Sequence, residues 1–202
     1  MTPKIKICGI GSSEDARVAE EAGATFVGIV QAPNSPRTKS PEDIAELVVS
    51  IDSALSTVAV FVNPTHEEVR NCPTDFIQLH GTESAEDVSR LAAAGGKPII
   101  KAISFDEQMC KEWDAHPAVS MLLVDGPDAG SGAPFDHALL AELIPELTKP
   151  LIVAGGLDPE NVRHLLDVAK PYAVDVSSGV ERTRGTKDHG LIRAFCQAVQ
   201  QA

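Results

Sequence analysis

Residues 150–158 read Pro150-Leu-Ile-Val-Ala-Gly-Gly-Leu-Asp158, and residues 172–181 read Tyr172-Ala-Val-Asp-Val-Ser-Ser-Gly-Val-Glu181. Each is a short apolar run that stops abruptly, the first at Gly155-Gly156 and the second at Ser177-Ser178-Gly179. Short apolar runs bounded by turn formers read as buried strands. Glycine has no Cβ, so at such stops the backbone can approach a ligand closely. Converging N–H groups favour an anion, phosphate above all. Two such turns at the ends of successive strands are the arrangement of the phosphate site after strands seven and eight of a (β/α)8 barrel. The rest of the chain must then supply six earlier strands.

It does. Ile5–Cys8, Thr25–Val30, Thr57–Val62, Phe76–His80, Lys97–Ala102 and Ser120–Asp125 read as strands. Helical patterns alternate with them. Ser12 and Ser40 stand where N-caps belong, and Pro41 suits a first helical residue. Val18, Ala19 and Ala22, then Ile44, Leu47 and Val48, space as buried stripes. Phe135, Leu139, Leu140, Leu143 and Ile144 form a further stripe, a helix is expected from Asp158 to Val168, and a last one from Lys187 to Gln200. Regular alternation implies parallel strands with right-handed crossovers. Eight units favour a closed α/β structure, a single parallel eight-stranded (β/α)8 TIM barrel spanning residues 1–202. No G-x-G-x-x-G fingerprint follows the first strand.

The chain has 202 residues, of which 43% are hydrophobic, and a formal net charge of −12. That balance argues against a nucleic-acid or anionic-membrane surface, which calls for clustered Lys and Arg. No apolar run approaches a membrane span, and the N-terminus lacks the apolar region of a secretory signal. The four cysteines, Cys8, Cys72, Cys110 and Cys196, show no close pairing, so neither a zinc knuckle nor a disulfide framework is expected. A cytoplasmic protein with reduced thiols is the expectation. Oligomeric state is not legible.

Function in such a barrel sits where strands end. The polar strand-end residues are Cys8, Gln78, His80, Asp125, Asp175, Ser177 and Ser178, with Arg37 in the loop after the second strand. A cation, two phosphate turns, a thiol and a carboxylate suit a small anionic substrate. Each residue also has a plainer reading. Cys8 fits a buried apolar filler, Asp125 a turn cap, His80 a satisfied core histidine and Arg37 a solvated loop charge. Gly130-Ser131-Gly132 fits a flexible connection.

The motifs in order carry a resemblance. They are Lys6-Ile7-Cys8-Gly9-Ile10, Ser35-Pro36-Arg37, Gln78-Leu79-His80-Gly81, Leu123-Val124-Asp125 and Gly130-Ser131-Gly132 with Phe135-Asp136. Ala154-Gly155-Gly156-Leu157 with Pro159-Glu160-Asn161-Val162 follows, then Asp175-Val176-Ser177-Ser178-Gly179-Val180-Glu181 with Gly185, Lys187 and Asp188. From Lys6 to about Arg193 the chain resembles the phosphoribosylanthranilate isomerases of tryptophan biosynthesis. It departs from them at Gly11, at Gln31-Ala32-Pro33-Asn34 and at His137.

The resemblance implies an Amadori rearrangement of N-(5-phosphoribosyl)anthranilate, a small phosphosugar, to the 1-deoxyribulose 5-phosphate product. By position Cys8 matches the general base and Asp125 the general acid. Arg37 matches the residue that meets the anthranilate carboxylate, and His80 falls among the substrate-binding residues. Gly155, Gly156, Ser177, Ser178 and Gly179 fall in the phosphate turns. No metal and no organic cofactor is implied. Two alternatives remain: a two-aspartate aminoimidazole ribotide isomerase, against which Cys8 argues, and a non-catalytic phosphate-ligand binder, which needs neither Cys8 nor Asp125.

The acid–base pair sets a physical requirement. At reference pKa values only about 3% of a cysteine is thiolate at pH 7, and only about 0.1% of an aspartate is protonated. A working site should shift at least one of the two. Burial is expected to raise the aspartate, and a nearby cation to lower the thiol. Lys6 shares a strand face with Cys8 and is the candidate cation.

Overall fold

The computed structural model describes residues 2–51, 54–126 and 137–202. The expected glycine loop from residue 127 to Gly132, with Phe135 and Asp136, lies outside the described residues.

Eight parallel strands close into a barrel in simple sequence order. They are β1 Lys4–Cys8, β2 Phe26–Gln31, β3 Ser56–Phe61, β4 Phe76–Leu79, β5 Ile99–Ser104, β6 Val119–Asp125, β7 Leu151–Val153 and β8 Ala173–Val176. Closure is made by β1 pairing with both β2 and β8, with Ile7 opposite Val27 on one side and Val176 on the other. The helices are α1 Ser13–Glu21, α2 Pro41–Ser50, α3 His66–Asn71, α4 Ala85–Gly95, α5 Glu107–Asp114, α6 His137–Leu143, α7 Val162–Val168 and α8 His189–Gln200. Among the described residues, no helix is long and apolar enough to cross a membrane.

Local chemistry sets the helix starts. Ser12, Ser40, Thr65 and Ser84 each form a capping box with the acid three residues on, respectively Asp15, Asp43, Glu68 and Asp87. Each cap is worth about 1 kcal/mol.

The alternation of strand side chains divides the interior into layers. Outward residues such as Ile7, Ile77, Leu122, Val124 and Val153 meet the helices in the main core. Inward residues Phe26, Val58, Ile100, Met121, Leu123, Ile152 and Ala173 fill the barrel itself, with Phe26 and Phe76 edge to face at 5.7 Å. Above them Cys8, Val30, Ala32 and Val60 make a small cluster toward the strand ends. The same period of two aims Lys6 and Cys8, Gln78, Asp125 and Asp175 toward the barrel axis.

Four details differ from the sequence reading. Leu139 is half exposed rather than part of a buried stripe, because α6 is short and turns Leu140 and Leu143 inward instead. α7 begins at Val162, not Asp158. The Asp158 side chain accepts from the N–H groups of Glu160 and Asn161 at 2.8 Å, which holds those residues in a turn. Lys187 precedes the last helix: it belongs to a hairpin of two short strands, β9 Glu181–Thr183 and β10 Thr186–Lys187. The last helix therefore starts at His189, capped by Asp188.

Candidate active site

The inward residues at the strand ends converge on a cavity of about 770 Å³. Cys8, Arg37, His80, Asp125, Gly155, Gly156, Ser177 and Ser178 all line it, with Gln78, Asp175 and Glu181 beside them. Gly179 is brought to the same turn but does not line the cavity. It is buttressed from behind: a Cβ there would sit 2.0 Å from the Leu157 carbonyl oxygen, so the two glycine turns touch through it. Gly155 plays the matching part on the other side. Its φ is +96°, and a Cβ there would meet the Gly126 nitrogen at 2.4 Å and Asp125 Oδ1 at 2.9 Å. Only glycine allows that turn to lie so close to Asp125. None of the backbone N–H groups of Gly155, Gly156, Ser178 and Gly179 donates to an acceptor among the described residues. They are available to an anion.

Cys8 sits above a buried ion pair. Lys6 Nζ lies 2.9 Å from Asp175 Oδ1, with the Lys6 side chain fully buried and that of Asp175 9% exposed. Both Cys8 Sγ and Lys6 Nζ crowd the α-carbon face of Gly28, where a Cβ would be 2.8 Å from the sulfur and 3.1 Å from the ammonium nitrogen. Burial opposes the charge on Lys6, but Asp175 and Cys8 together hold its pKa above the ordinary value. The expected cation is therefore in place. Its expected effect is not, because burial pushes the Cys8 thiol up and outweighs Lys6, whose pull Asp175 partly cancels. In the free protein Cys8 is a thiol.

Asp125 moves as the sequence argument required. Burial raises its pKa from the ordinary value, and nearby Asp175 adds to the shift. Its Oδ1 accepts from the Gly126 N–H at 2.9 Å, and its Oδ2 lies 3.6 Å from His80 Nε2. Burial lowers the pKa of His80 in spite of that carboxylate, so the imidazole is neutral near pH 7. His80 Nδ1 faces Gln78 Nε2 at 3.5 Å. Gln78 Oε1 is a buried acceptor without a partner among the described residues.

Arg37 is not a loose loop charge. Its Nε and Nη2 donate to the two carboxylate oxygens of Glu181 at 2.6 and 2.7 Å. Glu181 also accepts from the Gly185 N–H and from Lys187 Nζ, each at 3.0 Å. Burial is overcome by these donors, which hold the Glu181 carboxyl down at about 2. Lys187 further donates to the Ser177 carbonyl at 2.8 Å. One carboxylate thus ties the loop after β2, the turn after β8 and the hairpin together. Sequence reasoning gave Glu181 no role. Its signal was available in Glu181-x-x-x-Gly185-x-Lys187, a carboxylate followed by a glycine turn and a lysine, but the partner Arg37 lies 144 residues away.

Of the departures from the family pattern, Ala32 lines the cavity, whereas Gly11, Gln31 and His137 are not among its lining residues. Gln31 points to Glu68 at 3.5 Å, the Gly11 N–H donates to Asp15, and the His137 ring lies 5.9 Å from that of His164. Among the described residues no group of three or more His, Cys, Asp or Glu is placed to hold a metal ion.

Comparison with known proteins fits this geometry. The family model of N-(5'phosphoribosyl)anthranilate (PRA) isomerase matches residues 5–198. An N-(5'-phosphoribosyl)anthranilate isomerase of Magnetococcus marinus is 39% identical, over 100% of this chain and 97% of its own. The crystal structure of phosphoribosyl anthranilate isomerase from Thermotoga maritima superposes with a TM-score of 0.89 at 35% identity, covering 99% of this chain and 100% of that one. A phosphoribosyl anthranilate isomerase in complex with reduced 1-(o-carboxyphenylamino)-1-deoxyribulose 5-phosphate gives a TM-score of 0.86 at 35% identity and the same coverage. The chain belongs to the N-(5'-phosphoribosyl)anthranilate isomerase family and is an isomerase.

Proposed function

We propose that this protein converts N-(5-phospho-β-D-ribosyl)anthranilate to 1-(2-carboxyphenylamino)-1-deoxy-D-ribulose 5-phosphate in tryptophan biosynthesis, as a single catalytic domain working in the cytoplasm. The observation that carries the reading is the shared cavity: a thiol, a carboxyl with a raised pKa and two glycine turns face one another across about 770 Å³. A relative of the same fold is known with the reduced product.

In this reading the phosphate rests on the N–H groups of Gly155, Gly156, Ser177 and Ser178, with Gly179 holding the turn against Leu157. Asp125, whose pKa burial raises, gives its proton to the ribose ring oxygen. The C1–O bond breaks and the anilino nitrogen supplies its lone pair, forming an iminium. Cys8 then takes the proton from C2, and the C–H electron pair flows through C1 to neutralise the iminium nitrogen. The resulting enolamine tautomerises to the ketone. No redox change occurs, so the substrate's own nitrogen is electron sink enough.

The raised pKa of Cys8 fits this order of events. A thiol in the free protein becomes a base when a positive charge arrives beside it, and the iminium is that charge. Lys6 and Lys187 both favour the thiolate. His80 lies against Asp125 and orients the substrate there. Arg37, fixed by Glu181, presents its remaining guanidinium edge to the anthranilate carboxylate.

The test is turnover of freshly made phosphoribosylanthranilate, followed by loss of its fluorescence. Cys8→Ala and Asp125→Asn should each reduce kcat by about a hundredfold or more while still binding the reduced product analogue. Near wild-type kcat in either variant removes that residue from its role. A folded wild type with no turnover that still binds phosphate would favour a ligand binder.

A further inference from the structure

We propose that Arg182 and Arg184, on the hairpin after β8, capture the anionic substrate at the cavity mouth. The inference rests on the substrate reading above. A phosphate and a carboxylate give that substrate a charge near −3, and the protein itself carries −12. Repulsion has to be overcome locally.

The other cations of this region are already committed. Lys6 is paired with Asp175, Lys101 with Glu83, and both Arg37 and Lys187 with Glu181. Arg182 and Arg184 differ. Both are exposed, both line the cavity, and neither has a carboxylate within ion-pair distance among the described residues. Among the described residues the lining carries three carboxyl groups, Asp125, Asp175 and Glu181, and three guanidinium groups, Arg37, Arg182 and Arg184. Asp175 and Glu181 already engage Lys6, Arg37 and Lys187, so among the described lining residues the last two are the guanidinium groups left uncommitted for an anion. A rigid support holds them out. The hairpin is pinned at Glu181 and Lys187, so the segment between projects over the mouth without collapsing on the surface. Focused positive potential at a cleft raises association rates by about tenfold to a thousandfold.

The experiment compares wild type with Arg182→Gln/Arg184→Gln, reading kcat/KM for phosphoribosylanthranilate and Kd for the reduced product analogue. Salt is varied from about 20 mM to about 300 mM, which shortens the Debye length severalfold. In wild type both quantities should worsen as salt rises. The double variant should lose about tenfold or more in kcat/KM at low salt, with a flatter salt dependence, so that the two proteins converge at high salt. Its Tm should match wild type, because neither arginine is paired among the described residues. Arg182→Glu/Arg184→Glu should invert the salt dependence. Equal kcat/KM at low salt, or a loss that persists unchanged at high salt, overturns the proposal. Should wild type not turn over phosphoribosylanthranilate, the substrate reading fails. The salt dependence of inorganic phosphate binding then decides the arginines separately.

Discussion

The buried pair beneath Cys8 makes an opposite-sign prediction. Lys6 favours the Cys8 thiolate and Asp175 opposes it. Removing each half of the one ion pair should therefore move Cys8 reactivity in opposite directions. The sulfur and the ammonium nitrogen share the crowded face of Gly28, at 2.8 and 3.1 Å from one point. At a separation of about 6 Å and an effective dielectric of about 20, opposite unit charges attract by about 3 kcal/mol, a factor of about a hundred in thiolate population. Lys6→Met should slow alkylation of Cys8 by iodoacetamide by about that factor at fixed pH. Asp175→Asn leaves Lys6 with the thiolate as its remaining counter-ion and should speed alkylation severalfold. Peptide mapping isolates the signal, since Cys110 and Cys196 are buried with thiols pushed up to about 11 and about 12.

Both variants should also lose stability, because each strands a buried charge. That costs about 3–5 kcal/mol, or roughly 6–20 °C in Tm for a chain of this size. Circular dichroism at the labelling temperature confirms that the folded protein is being read. If Lys6→Met does not fold, Asp175→Asn alone decides, because its predicted effect on the thiol runs against its effect on the fold. Slower alkylation in Asp175→Asn, or changes of the same sign in both variants, would refute the argument.

Three other outcomes follow from the geometry. A carboxyl whose folded pKa stands above its unfolded value favours the fold only when protonated, and Asp125 is such a group. Asp125→Asn should therefore raise Tm at pH 7, and the difference should close below about pH 4, where wild-type Asp125 is protonated in both states. Glu181 has the opposite sign. Its contribution is present above the ordinary carboxylate range and lost as pH falls through about 2, so Glu181→Gln should lower Tm by several degrees at pH 7 and converge with wild type in acid. Gly179→Ala should force the two glycine turns apart, costing about 1–3 kcal/mol and weakening calorimetric binding of the reduced product analogue at least tenfold. Unchanged affinity would separate the turn contact from phosphate binding.

Legibility followed the range of the forces involved. Helix starts were readable because Ser12-x-x-Asp15 and Ser40-x-x-Asp43 are closed within four residues. Strand positions were readable because burial on both faces makes Met121–Val124 a continuous apolar run that stops at Asp125. The α7 start was misjudged because Asp158 offers caps to two structures, and only its bonds to Glu160 and Asn161 show which one forms. The hairpin was missed because Glu181–Lys187 has little apolar pattern of its own. Charges from Arg37, Glu181 and Lys187 hold it.

By itself the sequence determined the eight alternating units, the family, and which strand ends carry a thiol, a carboxyl and two glycine turns. These are local or periodic signals, and a barrel in sequence order converts them directly into positions. The tertiary structure alone decided the electrostatics. That Cys8 is pushed up and not down depends on the balance of burial against Lys6, Asp175 and Lys187, contributed from β1, β8 and the hairpin. That Arg37 is clamped depends on a carboxylate from the far end of the chain. Such balances exist only once distant residues share one low-dielectric space, so no reading along the chain contains them.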